Sequence, residues 1–489
     1  MLDTVLIGSV DVCTRDRVAG WVANKADPAE SFSVEILVDG SVVSTVRANI
    51  MRNDLVKVGY GPHGFEFKLR PHHFQPGGGA VVEVRVADHE WTVAFGKHAS
   101  GSVGRVHQPL EVVSLYDVPE QREAVPFEPV AFTRQSSITV GAKVAYAHPD
   151  IPVFGVPGDD PEREHVYSNF RAVNEYMPPA RCFFFRGALV GPTGAVITDN
   201  RNIALETVEG GWDSQGFATD AEGAVYFTDF GSLAMDDYVA EPVVAIQKGG
   251  FANYALWLTE CLPRAFIASR LLGGAKPKIM LRTARMPSRA IMDRCLKTLA
   301  MIGIEQNDII IRNNRWDRVA DLYVPIVTDP RLQRRVSPAF AECIAALLEH
   351  QGLRPKPWRK IYVSRRDASI RRVSNEEALM EALAPHGFEL ICPGDLSFED
   401  QIKVFSEAEI VVGPHGAGMA NVAFMTPGTK VVEIFSRTVL ERRPFRDISL
   451  TKGLRYCAVV SPDRSLPSHS SDFTVAPPSV MQAVEFIDA

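Results

Sequence analysis

The sequence predicts an α/β protein: two Rossmann-like parallel-sheet domains in tandem, facing a cleft, behind an N-terminal all-β sandwich. Three observations predict it. From residue 243 onward, apolar strand-like runs alternate with amphipathic helical runs, the pattern of a parallel sheet. The alternation breaks near Pro330 and restarts, so the pattern occurs as two units. Before residue 98 the pattern is instead short alternating strands divided by turn residues. The 489-residue length also exceeds what one hydrophobic core organises.

The expected domains run 1–98, 99–165, 166–335 and 336–489. In the first, Val34–Val38 and Val42–Val46 flank Asp39-Gly40, a strong hairpin signal. Further strands are expected at Phe65–Leu69, Val81–Val86 and Trp91–Phe95. Gly59-Tyr60-Gly61-Pro62-His63-Gly64 fits G-x-G-x-x-G, but a strand rather than a helix follows, so no helix N-terminus faces a pyrophosphate there. Residues 99–165, interrupted by Pro109, Pro119, Pro126, Pro129, Pro149, Pro152, Pro157 and Pro161, read as a linker and irregular segment packed on the next domain.

The third domain opens with a hairpin or meander over 181–208. A strand at Val243–Ile246, a helix over Tyr254–Leu271, a strand at Lys278–Leu281 and a helix over Ser288–Met301 follow, then strands at Asp308–Ile311 and Asp321–Val327. The fourth domain has expected helices at Pro338–His350, Asn375–Ala384, Ser397–Ser406 and Pro477–Asp488. Its expected strands are Lys360–Ser364, Phe388–Ile391, Ile410–Val412 and Lys430–Ile434. Ser374 with Glu377 three residues on suits a capping box, and the last helix can cross back to another domain.

Composition narrows the function. Hydrophobic residues make up 46% and charged residues 23%, a globular balance. A net charge of −7 gives a nucleic-acid partner no electrostatic support. The seven cysteines are scattered without a C-x-x-C pair, which points to a reducing compartment and away from a disulfide scaffold or zinc site. Met1–Val5 lacks a basic n-region, so no signal peptide is expected, and no apolar run approaches the ~18 residues of a membrane span. The expectation is a soluble cytoplasmic protein whose membrane contact is at most peripheral.

Val411-Val412-Gly413-Pro414-His415-Gly416-Ala417-Gly418-Met419-Ala420-Asn421 reads as strand, glycine turn and helix. Such a turn presents free backbone N–H groups that suit a phosphate, and His415 can add a hydrogen bond. A plain glycine-rich connection with a surface histidine is the alternative. Two tandem parallel-sheet domains leave a cleft at the carboxyl ends of their strands, where ligands bind in such folds. That is the GT-B architecture of many sugar-nucleotide transferases.

Two resemblances sharpen this reading. Val18-Ala19-Gly20-Trp21-Val22, Val38-Asp39-Gly40, Arg52-Asn53-Asp54-Leu55 and His63-Gly64-Phe65-Glu66-Phe67 resemble a small β-sandwich module often attached to bacterial glycosyltransferases and other surface-polysaccharide proteins. Trp21 and Phe65, taken singly, equally suit core positions. Three further segments together resemble glycosyltransferase family 61. The first is Gly249–Arg264, against the family's Asn-Tyr-x-His-Trp-Leu-x-Glu-x-Leu-Pro-Arg. The second is Ile361–Arg366 with Arg371–Glu376, and the third is the glycine turn continued to Phe424–Gly428 and Val431–Glu433.

The resemblance implies inverting transfer of a sugar from a nucleotide sugar to a hydroxyl of a glycan or lipid-linked glycan acceptor, in surface polysaccharide or glycoconjugate synthesis. That chemistry needs a base for the acceptor proton and stabilisation of the departing diphosphate. The chain contains no Asp-x-Asp, so no metal or other cofactor is expected, and arginines with a helix N-terminus take that task. The implied donor-binding residues are Arg365, Arg371, His415, Gly416, Ala417, Gly418, Asn421 and Glu433, and the catalytic candidates are Glu260 and Asn253. A solvated basic loop is the alternative for Arg365, Arg366, Arg371 and Arg372. Glu433 suits either ribose hydroxyls or a helix cap, and Asn421 either the donor or the turn itself.

One departure matters: the family's histidine falls on Leu256. Glu260, at i+4, is the candidate replacement base, its pKa raised by apolar neighbours. A structural pair with Arg264 is the other reading. A GT-B shell that has lost its base and serves as a scaffold or carbohydrate-binding protein is the competing function. A homo-oligomer is compatible with either.

Overall fold

The structure, a computed structural model, describes residues 5–14, 16–70, 73, 80–94, 104–106, 111–113, 115, 122–123, 135–140, 144–177, 179–198, 202–208, 217–219, 225–227, 238–272, 277–283, 289–312, 316–328, 336–353 and 356–489. Phe95, Ser288 and parts of the expected linker lie outside them.

The N-terminal region is two antiparallel sheets sharing one core. One is ordered Leu6–Cys13, Arg17–Asn24, Gly64–Lys68; the other Ser41–Arg47, Ser33–Val38, Ala80–Val86, Gly104–Val106. Alternate residues of both sheets (Val10, Val22, Ile36, Phe65, Val82, Val84) close on each other. Asp39 and Gly40 both take positive φ, 49° and 79°, the geometry a two-residue hairpin turn requires. Trp91–Ala94 is not a regular strand: Thr92 makes a single bridge to Arg85.

The middle of the chain forms an eleven-stranded mixed sheet. Ile309–Arg312, Lys278–Arg282, Val243–Ala245 and Asp317–Ile326 run parallel in that order. The sheet is not parallel throughout, because Ala180–Val190 is one eleven-residue strand antiparallel to Asp317–Ile326. A strand with both flanks occupied reads as a plain apolar run, which hides its direction.

The C-terminal sheet is six-stranded and wholly parallel, ordered Val153–Phe154, Arg455–Val460, Lys430–Phe435, Ala408–Pro414, Arg359–Val363, Phe388–Ile391. Its edge strand comes from the segment whose prolines read as irregular. Asp160 and Glu162 of the same segment bind the buried Arg437, and Asn169 O accepts from Arg446 at 2.9 Å. The helix Glu376–Leu383 starts from Asn375 with no side-chain cap bond, because the Asn375 amide is bonded to the Val475 backbone. Ser397 does cap Phe398–Ser406, accepting from Asp400 N at 3.0 Å. No helix among the described residues is long and apolar enough to cross a membrane.

One core joins the middle and C-terminal sheets, running from Tyr254, Trp257 and Leu258 to Phe398, Met419 and Phe424. Within it, the Tyr254 hydroxyl donates to Asn421 Oδ1 at 2.5 Å, and Asn421 Nδ2 donates to Gln401 Oε1 at 3.0 Å. Gln401 in turn donates to Pro393 O at 2.8 Å. Asn421→Ala strands the Tyr254 hydroxyl and the Gln401 carbonyl in a dry core. It is expected to lower the unfolding free energy by about 1–3 kcal/mol in urea denaturation; a change within about 0.5 kcal/mol, the range of ordinary surface substitutions, contradicts that role.

Candidate active site

The two sheets meet at a cleft of about 700 Å³ lined by Asn253, Leu256, Thr259, Glu260, Arg371, His415, Gly416, Ala417 and the loop from Glu441 to Phe445. One wall begins where the strand Ala408–Pro414 ends. His415 N donates to Ile434 O at 2.8 Å, so the turn leaves from the carboxyl edge of the sheet. Ala417–Phe424 then winds as a 3₁₀ helix rather than an α-helix, leaving N–H groups of its first turn without intrahelical partners.

Glycine at 416 is dictated by Arg365. A Cβ there would lie 1.6 Å from Arg365 Nη1. The guanidinium therefore packs directly against the turn and donates to Ile370 O at 3.1 Å and Arg371 O at 3.3 Å. At Gly418 a Cβ would meet Pro393 and Val363 at 3.2 and 3.3 Å. Arg365 thus supports the floor of the cleft, while Arg371 lines it. Arg371 adopts φ 55°, a left-handed conformation costly for a residue with a Cβ, and its buried Nε has no hydrogen-bond partner. Burial, and the neighbouring Arg365 and Arg442, hold its pKa below the ordinary arginine value. Burial likewise lowers Arg365, against the opposing pull of Asp367 and Asp472.

His415 is 5% exposed, stacked on Phe435 and tilted against Phe445. Its Nδ1 lies 2.6 Å from Glu433 Oε1, and the other Glu433 oxygen accepts from the Tyr456 hydroxyl at 2.6 Å. Glu433 is 1% exposed, so both its oxygens serve inside the protein and neither lines the cleft. Its place is behind His415, fixing the ring so that Nε2 is the nitrogen left for the cleft. Asn421, fully buried, likewise bonds Tyr254 and Gln401 rather than lining the cleft.

The facing wall is the helix that follows Val243–Ala245. Asn253 caps it, its side chain accepting from Ala255 N at 3.0 Å and Leu256 N at 3.4 Å. The helix is α over Tyr254–Leu256, π over Trp257–Cys261 and α again over Leu262–Leu271. Leu262 N bonds Trp257 O, five residues back, and Pro263 supplies no N–H to continue the ordinary ladder. π-Turns of this kind gather at functional sites. The strict i+4 relation of Leu256 and Glu260 is therefore lost, although both still line the cleft.

Glu260 is 3% exposed and clamped. Lys248 Nζ pairs with Oε2, the Thr328 hydroxyl donates to the same oxygen at 3.0 Å, and Arg264 lies 4.0 Å away. Burial pushes its pKa up, but Lys248 and Arg264 outweigh that and hold the carboxyl below its ordinary value. The apolar surroundings inferred from sequence thus do not decide the shift. The nearer partner is Lys248, twelve residues upstream, not the i+4 arginine.

Sequence periodicity did not single out the loop Glu441–Phe445, which carries Arg442 and Arg443 to the cleft. The Glu441-Arg442-Arg443-Pro444 run was the available signal, a charge cluster ahead of a helix start.

Residues 254–432 match the family model for glycosyltransferase 61. The matched span holds Leu256, Glu260, Arg365, Arg371 and the glycine turn, with Asn253 and Glu433 directly at its ends. Two curated relatives support a glycosyltransferase. A beta-1,2-xylosyltransferase of Oryza sativa subsp. japonica is 34% identical over 100 residues, 19% of this chain and 18% of its own. A beta-1,2-xylosyltransferase of Arabidopsis thaliana is 36% identical over 64 residues, 13% and 12% respectively. The chain thus spans less than a fifth of the length of these relatives.

The region matched by the family model carries a pH signature. Because folding depresses the Glu260 pKa, its stabilisation is complete above the ordinary value of 4.5 and is lost as pH falls through the folded value. Glu260→Gln removes the carboxylate that faces Lys248 and Arg264 in this buried cluster. It is expected to cost about 3–5 kcal/mol at neutral pH and to flatten the acid limb of the stability curve below pH 4.5, read by denaturant titration across pH. An unchanged acid limb contradicts the clamp.

Proposed function

We propose that the protein is an inverting, metal-independent glycosyltransferase of GT-B type. It moves a sugar from a nucleotide sugar to a hydroxyl of a glycan or lipid-linked glycan, in surface polysaccharide or glycoconjugate synthesis. The observation that carries the proposal is the convergence, within one cleft and largely within the glycosyltransferase 61 region, of a cationic glycine turn and a buried carboxylate. The seven buried free cysteines suit a cytoplasmic reaction. Both relatives are named as xylosyltransferases, which makes a pentose the first donor sugar to test.

In this reading the diphosphate rests on the N–H groups of Gly416–Gly418, with the Arg371 guanidinium as a charged partner, His415 Nε2 as a hydrogen-bonding partner and Arg365 supporting the turn from below. The acceptor hydroxyl oxygen attacks the anomeric carbon from the Glu260 side. The bond from that carbon to the diphosphate oxygen breaks, its electron pair leaves on the diphosphate, and the hydroxyl proton passes to the base. Glu260 is ionised at neutral pH and so able to accept a proton, and Asn253 orients the acceptor beside it.

A second reading, a GT-B scaffold that binds a donor but transfers nothing, draws on Leu256 at the family's histidine position and on the Lys248 clamp over Glu260. Donor binding and turnover separate the two. Nucleoside diphosphates and their pentose and hexose conjugates are expected to raise the melting temperature, and Arg365→Ala to abolish the rise. Transfer is expected to survive EDTA unchanged and to fall by about 10²–10⁴-fold in Glu260→Gln, the range for a lost general base. Donor binding without any transfer selects the scaffold, and a melting temperature unmoved by every nucleotide overturns both.

A further inference from the structure

Resting on the donor-site reading above, we propose that Arg442 is a further phosphate-binding residue, forming with Arg371 a two-arginine clamp for the donor diphosphate. Arg442 belongs to neither the family-matched span nor the glycine turn. It lines the cleft together with Arg371 and His415, and among the described residues neither arginine has a carboxylate within salt-bridge distance. Two guanidiniums lining one cleft without an anion repel each other, and an anion bound between them relieves that repulsion. The buried Nε of Arg371 has no hydrogen-bond partner, so this guanidinium has donor capacity unused within the protein.

The loop that carries Arg442 is built rather than loose. Upstream, Arg437 is 9% exposed, bonds Ser461 O at 3.1 Å and Glu162 at 2.9 Å, and pairs with Asp160. Downstream, the Phe445 ring packs 4.9 Å from the His415 ring. Arg442 N donates to Val439 O at 3.1 Å. The arginine is therefore offered to the cleft from a backbone fixed at both ends, which lowers the ordering cost of binding. Glu441, also on the cleft wall, makes no ion pair with it among the described residues.

The test is calorimetric titration of the full chain with inorganic pyrophosphate at fixed ionic strength. Arg442→Ala is expected to weaken binding about tenfold or more, equal to about 1.4 kcal/mol, with an unchanged melting temperature because the side chain is exposed. Arg371→Ala is expected to weaken it similarly. Arg289→Ala, at an exposed cation that does not line the cleft, is expected to bind like wild type. Wild-type affinity in Arg442→Ala with a loss in Arg371→Ala overturns the clamp and leaves the donor site standing. Equal weakening in Arg442→Ala and Arg289→Ala shows general charge attraction and overturns the clamp as well. No binding by wild type overturns both the clamp and the donor-site reading.

Discussion

The buried hydrogen bond between Tyr254 and Asn421 is the constraint on which the cleft depends. It joins the first turn of the helix that carries Leu256 and Glu260 to the 3₁₀ helix that follows the His415 turn. A hydroxyl and an amide in a dry core are expensive unless paired. Here each satisfies the other, and Gln401 absorbs the remaining amide donor. Both walls of the cleft are thereby fixed at one point just behind it, with Phe398 set edge-on against Tyr254 and Phe424.

From that point the two walls do different electrostatic work. On one side the charges are compensated: Glu260 has Lys248 and Thr328 in contact and Arg264 nearby. On the other side they are not, since Arg371 and Arg442 face the cleft beside a turn of free N–H groups. His415 lies between these regimes, its Nδ1 taken by Glu433 and its ring gripped by two phenylalanines. An enzyme that expels a diphosphate gains from this asymmetry. In the proposed transfer, the preorganised cationic wall lowers the cost of the leaving group and the rigid carboxylate wall orders the acceptor.

The sequence made local features legible and left long-range ones hidden. The strand before the histidine turn, the hairpin at Asp39-Gly40 and the Ser397 cap each follow from a few neighbouring residues. The edge strand Val153–Phe154 has two residues and so no period to detect. The π-turn is signalled only by Pro263, which equally suits the start of a new helix. The same limit applies to side-chain roles. Sequence showed that Glu433 ends near the cleft edge, but only the fold shows that Tyr456 and His415 use both its oxygens. It offered Arg264 as the partner of Glu260 because i+4 is a local relation, whereas Lys248 arrives from the preceding loop.

The central claim is that the cleft between the sheets receives a nucleotide sugar with its diphosphate on the glycine turn. A crystal structure with a bound nucleoside diphosphate tests it most directly. The account predicts phosphate oxygens within hydrogen-bond distance of the Gly416–Gly418 N–H groups and of the Arg371 guanidinium. A nucleotide seated elsewhere, with the glycine turn and Arg371 making no contact to it, contradicts the account.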